Sequence, residues 1–322
     1  LQAVGWVSAG VIALLTVFML ARDFLWLIIH HTDRLVPGPG LGESRRRFLQ
    51  GALDAGVVLG AAGVAGVGHA NARQPATVKR VQIPIEGLPD ALQGFKIAQV
   101  SDLHVGPTVR GDRMAQVAAA VNAEAPDLIA VTGDLVDGGV PMLAPMVAPL
   151  GGMRARHGAF FVTGNHEYYS GAPAWCAHCA DELGWRVLIN EHALIEHDGA
   201  RLLIAGVTDA HAGRFLDAHR PDLARSLAGA APADVRVLLA HRPEVAPEAA
   251  DLGFDLQLSG HTHGGQFFPM TIFIRLAQRF VIGLHRVGRM WLYVNPGTTW
   301  WGPPIRLGTT QEITLLELVK AP

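Results

Sequence analysis

Cysteine is nearly absent from this chain: two in 322 residues, Cys176 and Cys179. A disulfide-stapled framework is therefore excluded. A structural zinc site takes four ligands, and only His178 lies close enough in sequence to join the pair. Two free thiols or one local disulfide are the expectation. Charge is also scarce, 17% of residues, and nearly balanced at −2. Without a basic excess, an extended nucleic-acid-binding surface is not expected. No solenoid-type repeat is present. The chain does not open on methionine, and Leu1 is not a natural start, so residues are expected to precede it.

Half the residues are hydrophobic, and the longest apolar stretch comes first. Residues 1–21 carry no charge, and after Arg22-Asp23 the apolar character resumes to Ile29. About twenty apolar residues cross a bilayer as a helix, so residues 1–29 read as a transmembrane helix. Residues 30–50 form a polar, basic stretch punctuated by Pro37-Gly38-Pro39-Gly40, which reads as a loop. It ends in Ser44-Arg45-Arg46-Arg47-Phe48-Leu49, a twin-arginine-like motif. Residues 51–72 are Gly/Ala/Val-rich and close on Ala70-Asn71-Ala72, a small-x-small pattern. Two readings of this segment stay open. One is an export signal cleaved at that pattern, in an unusual position behind a span. The other is a second, uncleaved membrane helix whose Gly56 and Gly60 suit close helix packing. Both place the basic loop, with Arg22, Arg34 and Arg45 to Arg47, in the cytoplasm. The remainder is then expected outside the inner membrane, with Arg73, Lys79 and Arg80 counting against that orientation.

From residue 77 onward short apolar runs alternate with Ala-rich polar segments, the pattern of an α/β domain with buried sheets. Its chemistry collects where the strands end. The runs at 95–101, 128–132, 160–163, 237–240 and 256–259 lead into Asp102-Leu103-His104, Gly133-Asp134, Gly164-Asn165-His166-Glu167, His241 and Gly260-His261-Thr262-His263. Each alone has an ordinary reading as a turn, a helix cap or a satisfied strand-end histidine. Jointly those readings would have to place seven metal-capable side chains by coincidence at the edge where α/β active sites form. Asp102, His104, Asp134, Asn165, His241, His261 and His263 mix oxygen with imidazole nitrogen. That set suits first-row ions such as manganese, iron, zinc or nickel. Seven ligands are too many for one ion and fit two divalent or trivalent ions sharing one ligand. Pairs about 3.5–4 Å apart serve hydrolysis at phosphorus.

These five motifs, in this order, resemble the calcineurin-like metallophosphoesterase superfamily over residues 95–322. Gly-His-Thr-His-Gly-Gly-Gln at 260–266 and the tail Pro304-Ile305-Arg306-Leu307 resemble its bacterial, membrane-associated YkuE/YaeI-like branch. The resemblance implies a two-sheet β-sandwich flanked by helices. It implies that Asp102, His104 and His263 hold one ion, that Asn165, His241 and His261 hold the other, and that Asp134 bridges them. It gives His166 the role of acting on the phosphate and its leaving oxygen. The expected activity is hydrolysis of phosphate esters by a metal-activated hydroxide, with diesters and lipid-linked or envelope substrates in view. A metal-binding sensor or scaffold without turnover is the alternative, against which an intact His166 argues. A nuclease is disfavoured by the acidic balance.

Four features stand beside this core. Glu167 reads either as a support for the His166 loop or as a solvated carboxylate. Asp209 and His211 are candidates for the pocket lining. Trp300-Trp301 reads as core or pocket wall. Residues 267–290 interleave Phe267, Phe268, Met270, Ile272, Phe273, Ile274, Leu276 and Phe280 with Arg275, Arg279, Arg286 and Arg289. A packed lid or ordinary core is the favoured reading there, and contact with lipid headgroups the other.

Overall fold

The computed structural model describes residues 2–35 and 42–322; of the loop expected over residues 30–50, residues 36–41 lie outside them, and residues 30–35 and 43–50 are helical instead, as extensions of the two apolar helices. Two long helices come first, α1 (Gln2–Leu35) and α2 (Glu43–Arg73). In the remainder, the strands are β1 (Thr77–Ile85), β2 (Lys96–Val100), β3 (Leu128–Val131), β4 (Ala159–Phe161), β5 (Arg186–Val187), β6 (Glu191–His197), β7 (Ala200–Gly206), β8 (Val235–Leu239), β9 (Leu256–Ser259), β10 (Gly283–Val287), β11 (Met290–Val294) and β12 (Glu312–Lys320). The helices between them are α3 (Gly111–Ala123), α4 (Val140–Val147), α5 (Asn165–Ser170), α6 (Ala172–Asp181), α7 (Leu223–Ser226), α8 (Ala246–Asp251) and α9 (Met270–Ala277).

The strands make two six-stranded sheets, ordered β1-β12-β2-β3-β4-β5 and β10-β11-β9-β8-β7-β6. Strands β2, β3 and β4 run parallel in the first, as do β7, β8 and β9 in the second. Being covered on both faces, such strands are largely apolar: Leu128-Ile129-Ala130-Val131 is fully buried, and the buried Gln99 of β2 and Gln257 of β9 are hydrogen-bonded. The inner faces meet in one core that includes Ile97, Leu128, Phe160, Ile204, Val237, Leu258 and Leu316. Helix α3 covers the outer face of the first sheet through Met114, Val117, Ala118 and Val121, at the spacing of one helical face. Ala246 and Ala249 of α8 cover the second. The sandwich expected from the resemblance is therefore present. Strands β1, β5, β6 and β10 were not expected from the sequence. β6 alternates in exposure and turns into β7 through Asp198-Gly199, both with positive φ, the arrangement a tight hairpin needs.

Helices α1 and α2 pack antiparallel. They close at Gly60, where a Cβ would stand 2.6 Å from the Phe18 ring; Gly56 faces open space and plays no such part. Helix α2 continues unbroken to Arg73, so Ala70-Asn71-Ala72 forms part of its last turns. Ala72 is buried, and its carbonyl accepts bonds from Gln311 Nε2 (3.0 Å) and Arg113 Nη2 (3.1 Å).

Residues 267–290 do not form a packed lid. Phe267 and Phe280 are buried, but between them no residue of α9 is, and Leu276 is 80% exposed. The interleaved apolar pattern is thus uncovered along α9, while Phe267 before it and Phe280 and Met290 after it belong to cores.

Candidate metal centre

The five motifs meet because β2, β3, β4, β8 and β9 all end on the same edge of the sandwich. His241 ties the sheets together there: its Nδ1 donates to the Thr132 carbonyl at 2.8 Å. Gln99 Nε2 crosses in the same way to the Ser259 carbonyl at 2.9 Å.

Among the described residues three sets of ligand-type atoms form, each within 4.8 Å of one another: Asp102 with His104 and His263, Asp134 with His241 and His261, and Asp137 with His104 and His166. In the first, His263 Nε2 lies 3.3 Å from Asp102 Oδ1 and 3.0 Å from His104 Nε2. In the second, Asp134 Oδ2 is 3.1 Å from His241 Nε2. The same oxygen is 3.7 Å from His104 Nε2, which sets Asp134 between these two sets. Asn165 lines the cavity over them, with its Oδ1 accepting from Arg242 Nη2 at 3.3 Å. The structure thus brings together all seven side chains that the motifs single out.

Several features suit cations here. His241 Nε2 is buried with no hydrogen bond in usable geometry, although Asp134 stands close. Asp102, His104, Asp134, His261 and His263 all have positive φ, from 43° to 72°. Each such residue costs roughly 1–3 kcal/mol, and Asp and His tolerate that region better than most. A Cβ at Gly164 would overlap Asp134 Oδ1, and one at Gly260 would overlap Asp102 Oδ2. Both glycines therefore leave room for the carboxylates to point inward.

The electrostatics are those of buried carboxylates facing buried imidazoles. Burial opposes a charge on His104 and His241. The carboxylates, Asp137 foremost for His104 and Asp134 for His241, outweigh it and hold them up at about 9 and about 10. Burial, reinforced by neighbouring cations, takes His261 down to about 3. Burial also takes His263 down to about 4 against the pull of Asp102. Burial disfavours charge on Asp102 and Asp134 as well, yet the facing histidines hold both carboxyls well below the usual range.

Asp137 is a functional residue the motifs did not reveal. Its Oδ1 is 2.9 Å from His104 Nδ1 and 2.7 Å from His166 Nδ1, so one carboxylate orients two imidazoles. Carboxylates behind metal-ligating histidines do this generally. Its one trace in the sequence, an acidic residue three positions past Asp134, does not by itself distinguish it from a solvated loop carboxylate. Arg306 is the second. It is buried, donates from Nη2 to His263 Nδ1 at 3.2 Å, and bonds the carbonyls of Pro296 and Thr299. Glu167 supports rather than solvates: it is buried and accepts from the backbone N–H groups of Asp134, Leu135 and Gly164. Burial and the charge of Asp134 push it up to about 7.

Asp209 does not line the cavity. It holds Arg242 Nε at 2.7 Å and so acts behind Asn165, and His211 is likewise outside the lining. The two tryptophans divide: Trp300 is core and Trp301 is cavity wall. Cys176 and Cys179 are free thiols, and burial pushes the Cys176 thiol up to about 12.

The model of the family described as "Calcineurin-like phosphoesterase" matches residues 95–265. "Transmembrane protein with metallophosphoesterase domain" of Bos taurus is 40% identical over 267 residues, 80% of this chain and 60% of that protein. "Uncharacterized metallophosphoesterase" of Aquifex aeolicus is 33% identical over 243 residues, 75% of this chain and 91% of the relative. "Uncharacterized metallophosphoesterase YkuE" of Bacillus subtilis is 29% identical over 294 residues, 85% and 97% respectively. The chain thus spans about 60% of the length of the transmembrane relative from cattle.

Proposed function

Because the chain belongs to the calcineurin-like phosphoesterase family, we propose that it hydrolyses phosphate esters at a centre of two divalent cations and is fastened to a membrane by α1 and α2. The observation that carries this reading is the position of Asp134, one carboxylate facing two ligand sets.

In this reading Asp102, His104 and His263 would hold one ion, Asn165, His241 and His261 the other, and Asp134 would serve both. The ions, when bound, neutralise phosphoryl oxygens and lower the pKa of a water toward neutrality. The protein's own work is positional. Water adds to phosphorus, one P–O ester bond breaks, and the departing oxygen needs a proton. His166 lines the cavity with Nε2 4.0 Å from Asp134 Oδ2 and its far nitrogen on Asp137, the arrangement of a general acid. Among the described residues the cavity wall holds no Lys or Arg. Arg242 and Arg306 stand behind Asn165 and His263 rather than on the wall, so a monoester dianion would meet no Lys or Arg in the cavity itself, which supports diesters as the preferred class.

Two apolar helices suggest membrane association. The unbroken α2 and the buried Ala72 support an attached second helix over a cleaved signal. For orientation, Arg22, Arg34 and Arg45 to Arg47 lie between the two apolar segments, against Arg73, Lys79 and Arg80 after them. The basic count still favours an extracytoplasmic catalytic domain at the inner membrane.

The test is hydrolysis of bis(p-nitrophenyl) phosphate and p-nitrophenyl phosphate by the manganese-loaded full chain. Diester turnover should vanish with a chelator and return with metal, and His166→Ala should lower it ~10²–10⁴-fold. Bound metal without turnover of either ester, across ions and pH, would establish the sensor alternative instead.

A further inference from the structure

The cavity over the metal centre, about 900 Å³, is not enclosed by the sandwich alone. Gln2, Gly5, Trp6 and Ala9 of α1 form one wall, opposite His104, His166 and His263. The Trp6 ring lies 5.8 Å from that of Trp301, which in turn lies 5.8 Å from that of His166. An aromatic path therefore runs from the apolar helix to the catalytic histidine.

The helices also set where the bilayer stands. Phe267 packs with Leu14, Phe18, Ala61 and Ile305, so the sandwich meets the hairpin at this level. Beyond the Phe18–Gly60 contact, α1 continues to Leu35 and α2 reaches back to Glu43. At 1.5 Å per residue each length is roughly 26 Å, close to the ~30 Å of a bilayer's hydrocarbon core. The Arg22–Asp54 pair sits about one turn below Phe18, near the headgroup side, where a long cationic side chain can reach water. Helix α9 begins just after Phe267, and Ile272, Phe273 and Leu276 stand exposed on it beside Arg275. Such a helix, continuous with a membrane-crossing hairpin, fits the plane of a bilayer surface. With that surface at the level of Phe18, the part of α1 that walls the cavity, Ala9 to Gln2, stands roughly 14–24 Å above it at 1.5 Å per residue, a gap that an apolar chain lying along α1 would span.

We propose that the phosphate ester taken by this centre is carried on a lipid of the adjoining leaflet. Its phosphate sits at the ligand cluster and its apolar tail lies along α1 between Trp6 and Trp301, with α9 resting on the same leaflet. The proposal rests on the phosphoesterase reading. A soluble ester has the same phosphate and lacks the tail, which gives the experiment its two arms.

The full chain, manganese-loaded and reconstituted in phosphatidylcholine vesicles, is assayed on methyl and hexadecyl p-nitrophenyl phosphate, which share a leaving group. The hexadecyl ester should show a kcat/KM at least tenfold higher. Partition into vesicles alone would also raise it, so the deciding readout is the ratio in variants. Trp6→Ala should cut the hexadecyl-to-methyl ratio at least fivefold and Trp6→Phe should restore most of it. Ile272→Asp with Leu276→Asp should lower the same ratio with metal content unchanged. A parent ratio near one, or a ratio unmoved by both variants, overturns the proposal and leaves the phosphoesterase reading standing. Failure to cleave even the methyl ester removes that reading and the proposal with it.

Discussion

Replacing Asp137 by asparagine isolates a residue that contributes no atom to either ligand set yet should control both metal affinity and rate. The amide keeps the carboxylate's size and one oxygen acceptor but removes its charge. In the structure that single carboxylate oxygen serves two imidazoles, His104 at 2.9 Å and His166 at 2.7 Å. One of these is a proposed ligand and the other the proposed general acid. Loss of such a supporting group costs about 10–100-fold in metal affinity or activity, or roughly 1.4–2.7 kcal/mol at 1.36 kcal/mol per decade. Because both roles pass through one residue, Asp137→Asn should weaken metal binding, seen by calorimetric titration, and lower kcat on bis(p-nitrophenyl) phosphate at saturating metal. The KM should change little, since Asp137 is only an edge of the cavity. In the metal-free protein the His104 resonance should also titrate well below its raised value of about 9, of which Asp137 is the chief source. Metal affinity and kcat both within twofold of the parent would refute the assignment.

Gly260→Ala should abolish metal at the Asp102 set, because its Cβ would overlap both Ser101 Oγ and Asp102 Oδ2; metal content by mass spectrometry reads this directly. The pH dependence follows from the raised histidines. His104 and His241, near 9 and 10 in the metal-free fold against about 6.5 unfolded, stabilise that fold fully below pH ~6.5, and the contribution fades as pH rises through 9–10. A metal ion must displace those same protons. Apparent affinity should therefore strengthen from pH 6 to 9, with more than one proton released on loading; calorimetry in buffers of different ionisation enthalpy measures the count.

The five strand ends were legible because buried parallel strands are apolar runs, and each run stops at a polar residue that has no structural reason to be there. The order of the motifs then carried the sandwich. Asp137 was not legible, since an acidic residue three positions into a loop looks solvated until His104 and His166 fold onto it. Arg306 was visible only as part of a tail pattern; its burial against His263 depends on a return of the chain more than forty residues later. The wall that α1 contributes could not be read at all, because an apolar helix shows its ability to cross a bilayer and not what its first turns touch. The segment after Gln266 was misjudged for a related reason. Its interleaved apolar and basic residues fit a covered lid and an uncovered interfacial helix equally, and only the packing of α9 distinguishes them.

The central claim is that Asp102, His104, Asp134, Asn165, His241, His261 and His263 together hold two ions with Asp134 between them. Anomalous diffraction from manganese-soaked crystals of the full chain tests it most directly. Two peaks about 3.5–4 Å apart are expected, one in the Asp102–His104–His263 set, one in the Asn165–His241–His261 set, both within bonding distance of Asp134. A single peak under saturating manganese, or two peaks of which one is out of reach of Asp134, would contradict it.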